Sequence, residues 1–237
     1  QEAGNLNGKE FIGSTIVTSD IFYDIAAKFN VDCKVGLTGF KWIADMIRQF
    51  EGVEKFIGGG EESFGFMVGD FIRDKDSVTT ALLVSEIAAV QKAKGSSLYN
   101  KLTEIYVEIG KAYQEDLTNI VKPGKEGAEL IAQMMVDFRA NSPKELAGSA
   151  VVKVKDFQTS IEKDLVSGEE KTIDIPKSNV LIFYTADGSK VACRPSGTEP
   201  KIKYYFSVNA PISNAADYPT IQKQLMDKIA LLKEDFK

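Results

Sequence analysis

The apolar pattern of this chain is interrupted by a polar run near its middle, and that break divides it into two predicted halves. In the first half, Phe11 to Thr18 is a β-rich run, and Ser19 or Asp20 can cap a helix through Asn30 whose apolar positions Ile21, Ile25 and Phe29 fall four apart. Val31 to Leu37 predicts a second strand. A β-α-β order predicts a parallel sheet with flanking helices, an architecture that gathers its binding loops at the carboxyl ends of the strands. Thr38 is the expected N-cap of an amphipathic helix with Ile43, Met46, Ile47 and Phe50 inward, and Lys55 to Ile57 is a short strand. A long helix follows from Ser77 to about Lys94, with Val78, Ala81, Leu82, Ser85, Ala88 and Ala89 as its expected inner stripe. Leu98 to Tyr113 is helical by period, and the polar run after it places a domain boundary near residue 115.

In the second half, a helix spans about Gly127 to Ala140 and stops at Asn141-Ser142-Pro143. Strands are expected at 150–157, 179–185, 190–194 and 201–208, the middle two joined by a hairpin at Asp187-Gly188. In the last strand Ile202, Tyr204 and Phe206 alternate with Lys201, Lys203 and Tyr205, which predicts one buried face and one cationic face. A closing helix from Tyr218 turns Ile221, Leu225, Ile229, Leu232 and Phe236 inward. The fold class is therefore α/β over 1–115, with a parallel-type sheet, followed by α+β over 116–237, with helices on an antiparallel sheet.

Composition narrows the partners. The net charge is -5 with 29 basic against 34 acidic residues and no basic block, which argues against nucleic acid. No window reaches the ~20 apolar residues of a membrane span, and the start has no signal-peptide character. Cys33 and Cys193 lie far apart in apolar surroundings, as reduced buried thiols do, so a cytoplasmic setting fits. The chain has no histidine, which removes the commonest general base and metal ligand together. It begins with Gln, which suggests an origin inside a longer product or behind a removed tag.

Chemistry concentrates in a few loops. Arg194-Pro195-Ser196-Gly197-Thr198-Glu199-Pro200-Lys201 brings a guanidinium, two hydroxyls, a glycine and an ammonium into one turn, which is the equipment an anion such as phosphate needs. An ordinary connection between strands uses Pro, Ser and Gly too. Gly58-Gly59-Gly60-Glu61-Glu62-Ser63 joins a glycine triplet to carboxylates and a hydroxyl, groups suited to sugar hydroxyls; a flexible turn with a solvated acidic pair is the alternative. The charged segment Asp70 to Asp76 reads by itself as a solvated helix entry.

The string R-P-S-G-T-E-P-K resembles the phosphate-binding loop in the last domain of the α-D-phosphohexomutases, the family of phosphoglucomutase and phosphomannomutase, and G-E-E-S-F-G resembles that family's sugar-recognition loop. The resemblance implies that Arg194, Ser196, Gly197, Thr198 and Lys201 bind phosphate and that Glu61 and Ser63 grip adjacent hexose hydroxyls. Thr38-Gly39 resembles the Thr-Gly loop of the third domain, which contacts the hexose. Lys75 stands where a family lysine reaches the active site, which implies proton handling or charge stabilisation. Some members carry a histidine after the sugar loop; here Phe64-Gly65 stands instead.

The family interconverts hexose 1-phosphate and 6-phosphate through a bisphosphate, using a phosphoserine in a Ser-His-Asn-Pro type loop and Mg2+ held by an Asp-Gly-Asp-Gly-Asp loop. Neither loop occurs in this sequence. The resemblance thus implies domains three and four of an isomerase, a phosphotransferase whose missing N-terminal domains supply the phosphoserine and the metal ligands, with no metal held by this half and no activity alone. A stand-alone sugar-phosphate-binding module without a catalytic half is the alternative, and decay of these loops into plain structure is a third reading.

Overall fold

The computed structural model describes residue 4 and residues 6–236 of the chain. They form two compact units: one runs to Ala112 and adds Pro211–Tyr218, and the other comprises Tyr113–Ala210 with Pro219 onward.

The first unit contains β1 (Glu10–Thr15), α1 (Ile21–Lys28), β2 (Asp32–Gly36), α2 (Phe40–Phe50), β3 (Lys55–Glu61), β4 (Gly65–Val68), α3 (Ser77–Ala93) and α4 (Leu98–Ile109). Its sheet has the order β2-β1-β3-β4, with β1 parallel to both β2 and β3 and β4 antiparallel to β3. The chain steps from β1 to β2 on one side and back to β3 on the other. The order therefore reverses at β1, and the loops leaving β1, β2 and β3 meet at their carboxyl ends. Phe11, Phe40, Ile43, Met46, Ile47, Phe56 and Met67 form the core between sheet and helix, with Phe50 against it.

Four details differ from the sequence expectation. The Gly58-Gly59-Gly60 triplet is strand rather than loop: a Cβ at Gly59 would lie 2.5 Å from the Gly13 carbonyl oxygen, and one at Gly58 3.1 Å from that of Met67. The glycines are there for close approach of neighbouring strands rather than for a flexible turn. Thr38 does not cap α2; Gly39 does, at φ 114°, a conformation open to glycine. The helix through Tyr113 ends at Ile109, because Gly110 adopts φ 76° and the next residues form a strand. Finally, Val78, Ala81, Leu82, Ser85 and Ala89 of α3, the expected inner stripe, face outward, Val78 being 77% and Leu82 68% exposed. The packed side is the one with Thr80, Leu83 and Gln91. A helix apolar nearly all round carries no period that picks its inner face.

The second unit contains β5 (Lys111–Val121), α5 (Gly124–Ala140), β6 (Glu145–Leu146), β7 (Ser149–Asp156), β8 (Ile161–Asp164), β9 (Glu170–Thr172), β10 (Leu181–Thr185), β11 (Lys190–Pro195), β12 (Lys201–Pro211) and α6 (Tyr218–Glu234), the first and last elements beginning just inside the first unit. Its eight-stranded sheet runs β5-β12-β11-β10-β7-β8-β9 with β6 on β7, and the pairings from β12 through β9 are antiparallel. The sequence pattern misses β5, β6, β8 and β9; β9 is exposed along its length and leaves no apolar alternation to read. Leu225, Ile229, Leu232 and Phe236 are buried as the stripe of α6 predicts. Tyr205 departs from its predicted open face: it is 4% exposed, because the middle of β12 is covered on both sides.

The Asp187-Gly188 hairpin forms between β10 and β11. Asp187 accepts from Thr185 Oγ1, Ser189 N and Lys228 Nζ. Burial alone would raise its carboxyl, but these donors outweigh that and hold it well below the usual carboxylate range. Cys193 is buried, which pushes its thiol up, and neither it nor half-buried Cys33 is in a disulfide.

Candidate functional site

In the first unit the candidate residues gather at the carboxyl ends of the parallel strands. Glu61 ends β3, and its Oε2 accepts from Gly39 N at 3.0 Å, tying the turn before α2 to the β3–β4 hairpin. Glu62, the next residue, reaches the other way: its Oε2 accepts from Thr18 Oγ1 at 2.6 Å, in the loop after β1. Its Oε1 accepts from Ser63 Oγ at 2.9 Å. Two adjacent carboxylates thus fasten the loops that follow β1 and β2 to the end of β3. Thr38 Oγ1 is buried without a hydrogen-bond partner among the described residues, and such an orphan polar atom calls for an explanation. Lys75 is exposed, with its Nζ 5.8 Å from the ring centroid of Phe40, the first residue of α2. Beside it Asp76 caps α3: hydrogen bonds from Thr79 Oγ1 and Val78 N hold its carboxyl below the usual range.

The hairpin tip is shaped by sterics. A Cβ on Gly65 would lie 2.3 Å from the Phe40 ring and 2.9 Å from Glu61 Cγ, so this glycine seats the ring under the carboxylate. Phe64 before it stands fully in solvent at φ 58°. A bulky residue in the left-handed region costs about 1 kcal/mol, so Phe64→Gly is expected to raise stability by up to about that amount in a urea titration. An unchanged or lower midpoint would show that the tip is not strained.

In the second unit Arg194, Ser196, Gly197, Thr198 and Lys201 share the β11–β12 turn. Ser196 Oγ accepts from Thr198 N at 3.4 Å and Glu199 N at 3.3 Å, while Ser196 N donates to the Lys201 carbonyl at 2.8 Å. Lys122 N donates to the Pro200 carbonyl at 2.9 Å, which braces the turn from the end of β5. Lys201 Nζ pairs with Glu199 Oε2 at 2.5 Å, so an incoming anion competes with a carboxylate of the same turn. Arg194 differs: its cross-strand partner is Lys203, another cation. Among the described residues neither side chain has a hydrogen bond or ion pair. Like charges directly opposite are destabilising, and an anion between them would relieve this. The sequence marks Lys203 only as a strand-face cation; the register makes it the neighbour of Arg194. Among the described residues no group of three His, Cys, Asp or Glu side chains could hold a metal ion.

Residues 1–106 match the family described as phosphoglucomutase/phosphomannomutase, alpha/beta/alpha domain III. The chain is 38% identical over 211 residues to the phosphoglucomutase of Staphylococcus aureus (strain MRSA252), covering 89% of this chain and 38% of that relative. Residues 1–106 thus carry domain III of the phosphoglucomutase/phosphomannomutase family. The phosphoglucomutase of Staphylococcus haemolyticus (strain JCSC1435) is similar as well, at 34% over 208 residues, 88% of this chain and 38% of that relative. The phosphohexomutase fold itself is matched in a solved structure of pp63/parafusin, a phosphoglucomutase from Paramecium in its open form, with a TM-score of 0.55 and 18% identity over 94% of this chain and 38% of that one. This chain therefore spans about 38% of the length of the curated phosphoglucomutases named here. The α/β unit followed by an antiparallel sheet with helices is the fold class expected from the sequence.

Proposed function

We propose that this chain is the sugar- and phosphate-holding half of a phosphohexomutase, an isomerase that moves a phosphoryl group between the 1- and 6-positions of a hexose phosphate. On this reading residues 1–115 are mutase domain three and 116–237 are domain four. Thr38, Gly39, Glu61 and Ser63 meet sugar hydroxyls, Lys75 handles charge or a proton at the reacting group, and the Arg194–Lys201 turn holds the non-reacting phosphate. The observation that carries the reading is the pair of carboxylates, Glu61 and Glu62, which draw the loops after β1 and β2 onto the β3–β4 hairpin. Carboxylates and hydroxyls converging at such a reversal point suit a polyhydroxyl ligand. The unpaired Arg194 and Lys203 suit its phosphate.

The nucleophile and the Mg2+ that phosphoryl transfer uses belong, on this reading, to N-terminal domains of the same polypeptide. Among the described residues no group of side chains fits a magnesium site. Positioning and charge lower a barrier only with a nucleophile in place. The chain alone is therefore expected to give no glucose 6-phosphate from labelled glucose 1,6-bisphosphate and no label on serine, with or without magnesium, while still binding glucose 1-phosphate. Either product above a buffer control would make this half an enzyme in its own right. Absence of glucose 1-phosphate binding would remove the functional reading altogether. A cytoplasmic setting, without nucleic-acid or membrane partners, accompanies this function; among the described residues no helix is long and apolar enough to cross a membrane.

A further inference from the structure

The hydrogen bonds around Glu62 have a fixed direction. Its carboxylate accepts from Thr18 Oγ1 at 2.6 Å and from Ser63 Oγ at 2.9 Å, one bond to each oxygen. A carboxylate only accepts, so both hydroxyls spend their single proton on it. Thr15 and Thr18 share a bond of 2.8 Å, and since the Thr18 proton is taken, Thr15 is the donor there. The chain of bonds runs from Thr15, 2% exposed, through Thr18, 5% exposed, to Glu62 at the surface of the hairpin. Networks satisfied in this way fix one arrangement of their members. What Ser63 Oγ can then offer a ligand is acceptor capacity alone.

We propose that Glu62 is a positioning residue that sets the hydrogen-bond polarity of the sugar site: it holds Ser63 as an acceptor, so the ligand hydroxyl meeting Ser63 must donate. This rests on the reading above, in which Ser63 and Glu61 meet adjacent sugar hydroxyls. Glu61 is a carboxylate and also accepts. Both sugar hydroxyls are therefore donors to the protein, and the class of ligand selected is a vicinal diol whose two protons both point at the hairpin. Fluorine in place of a hydroxyl accepts but cannot donate, so it fails at both positions although it is similar in size.

The experiment is a titration of this chain, followed by NMR, with glucose 1-phosphate and its monodeoxyfluoro analogues at each ring position. Fluorine at two adjacent positions is expected to weaken binding about 10-fold, the worth of one good hydrogen bond. In Glu62→Gln the amide carbonyl keeps the Thr18 bond while the NH2 group donates to Ser63, which frees the Ser63 proton to point at the ligand. This variant is expected to recover the fluoro analogue at one of the two positions and not at the other. Ser63→Ala is expected to remove the difference between hydroxyl and fluorine at that same position. A merely structural role for Glu62 would instead weaken glucose 1-phosphate and every analogue alike, and that result overturns the proposal. Tolerance of fluorine at every ring position by the unaltered chain overturns it too. If glucose 1-phosphate itself does not bind, the functional reading falls and this one falls with it.

Discussion

Gly59→Ala is expected to lower the stability of the first unit by about 3 kcal/mol, at the upper end of what overpacking costs. The methyl group would lie 2.5 Å from the Gly13 carbonyl oxygen and 3.1 Å from its carbonyl carbon. Those atoms are backbone of β1, paired in parallel register with Gly59 itself, and no side-chain rotation can move them away. Strands β1 and β3 must part. Their separation also pulls the Thr18 loop away from Glu62, so ligand binding and stability are expected to fall together. Gly197→Ala is the control, because a Cβ there meets nothing within 4 Å and the glycine is not in the left-handed region. Its urea midpoint is expected to match that of the unaltered chain. A Gly59→Ala protein with an unshifted midpoint would mean that the strands do not approach this closely.

Arg194→Ala is expected to act in the opposite sense on the two quantities. Affinity for glucose 1-phosphate should drop by about 1.5–3 kcal/mol, the worth of hydrogen bonds to a charged group, which is roughly 10- to 150-fold in Kd. Stability should hold or rise by a few tenths of a kcal/mol, because the Arg194–Lys203 cation pair is relieved. Calorimetry with glucose 1-phosphate and with inorganic phosphate reads the first effect, and a thermal melt reads the second. Equal affinity in the variant would take the β11–β12 turn out of the site. A large loss of stability would mean that Arg194 is there for the fold.

The elements with a single covered face were the legible ones. The inner positions of α2 and α6 repeat every three or four residues, and the structure buries them where that period says. Helix α3 defeats the same logic, since its apolar residues go almost all the way round and its packed side includes Thr80 and Gln91. Short exposed strands such as β9 have too few residues to show alternation. The loops that carry Glu61, Ser63 and Arg194 stood out by residue type only as candidates, with ordinary turns as the alternative, and the family resemblance supplied the expected roles. What the string of residues could not reveal was direction in space: that Glu61 turns toward Gly39 while Glu62 turns toward Thr18, or that strand register sets Lys203 opposite Arg194. The two carboxylate contacts join positions tens of residues apart, and the Arg194–Lys203 pair depends on the register of a hairpin; only the folded sheet brings them together.

The outward face of α3 leaves a mark on the heat of unfolding. Val78 and Leu82 are already largely in water in the folded chain, so unfolding adds little to their hydration. Heat capacity rises on unfolding in proportion to newly wetted apolar area, about 12–15 cal/mol/K per residue in ordinary domains. A calorimeter should find this chain below that range, with a flatter stability curve than its length would suggest. Covering the face of α3 would steepen it.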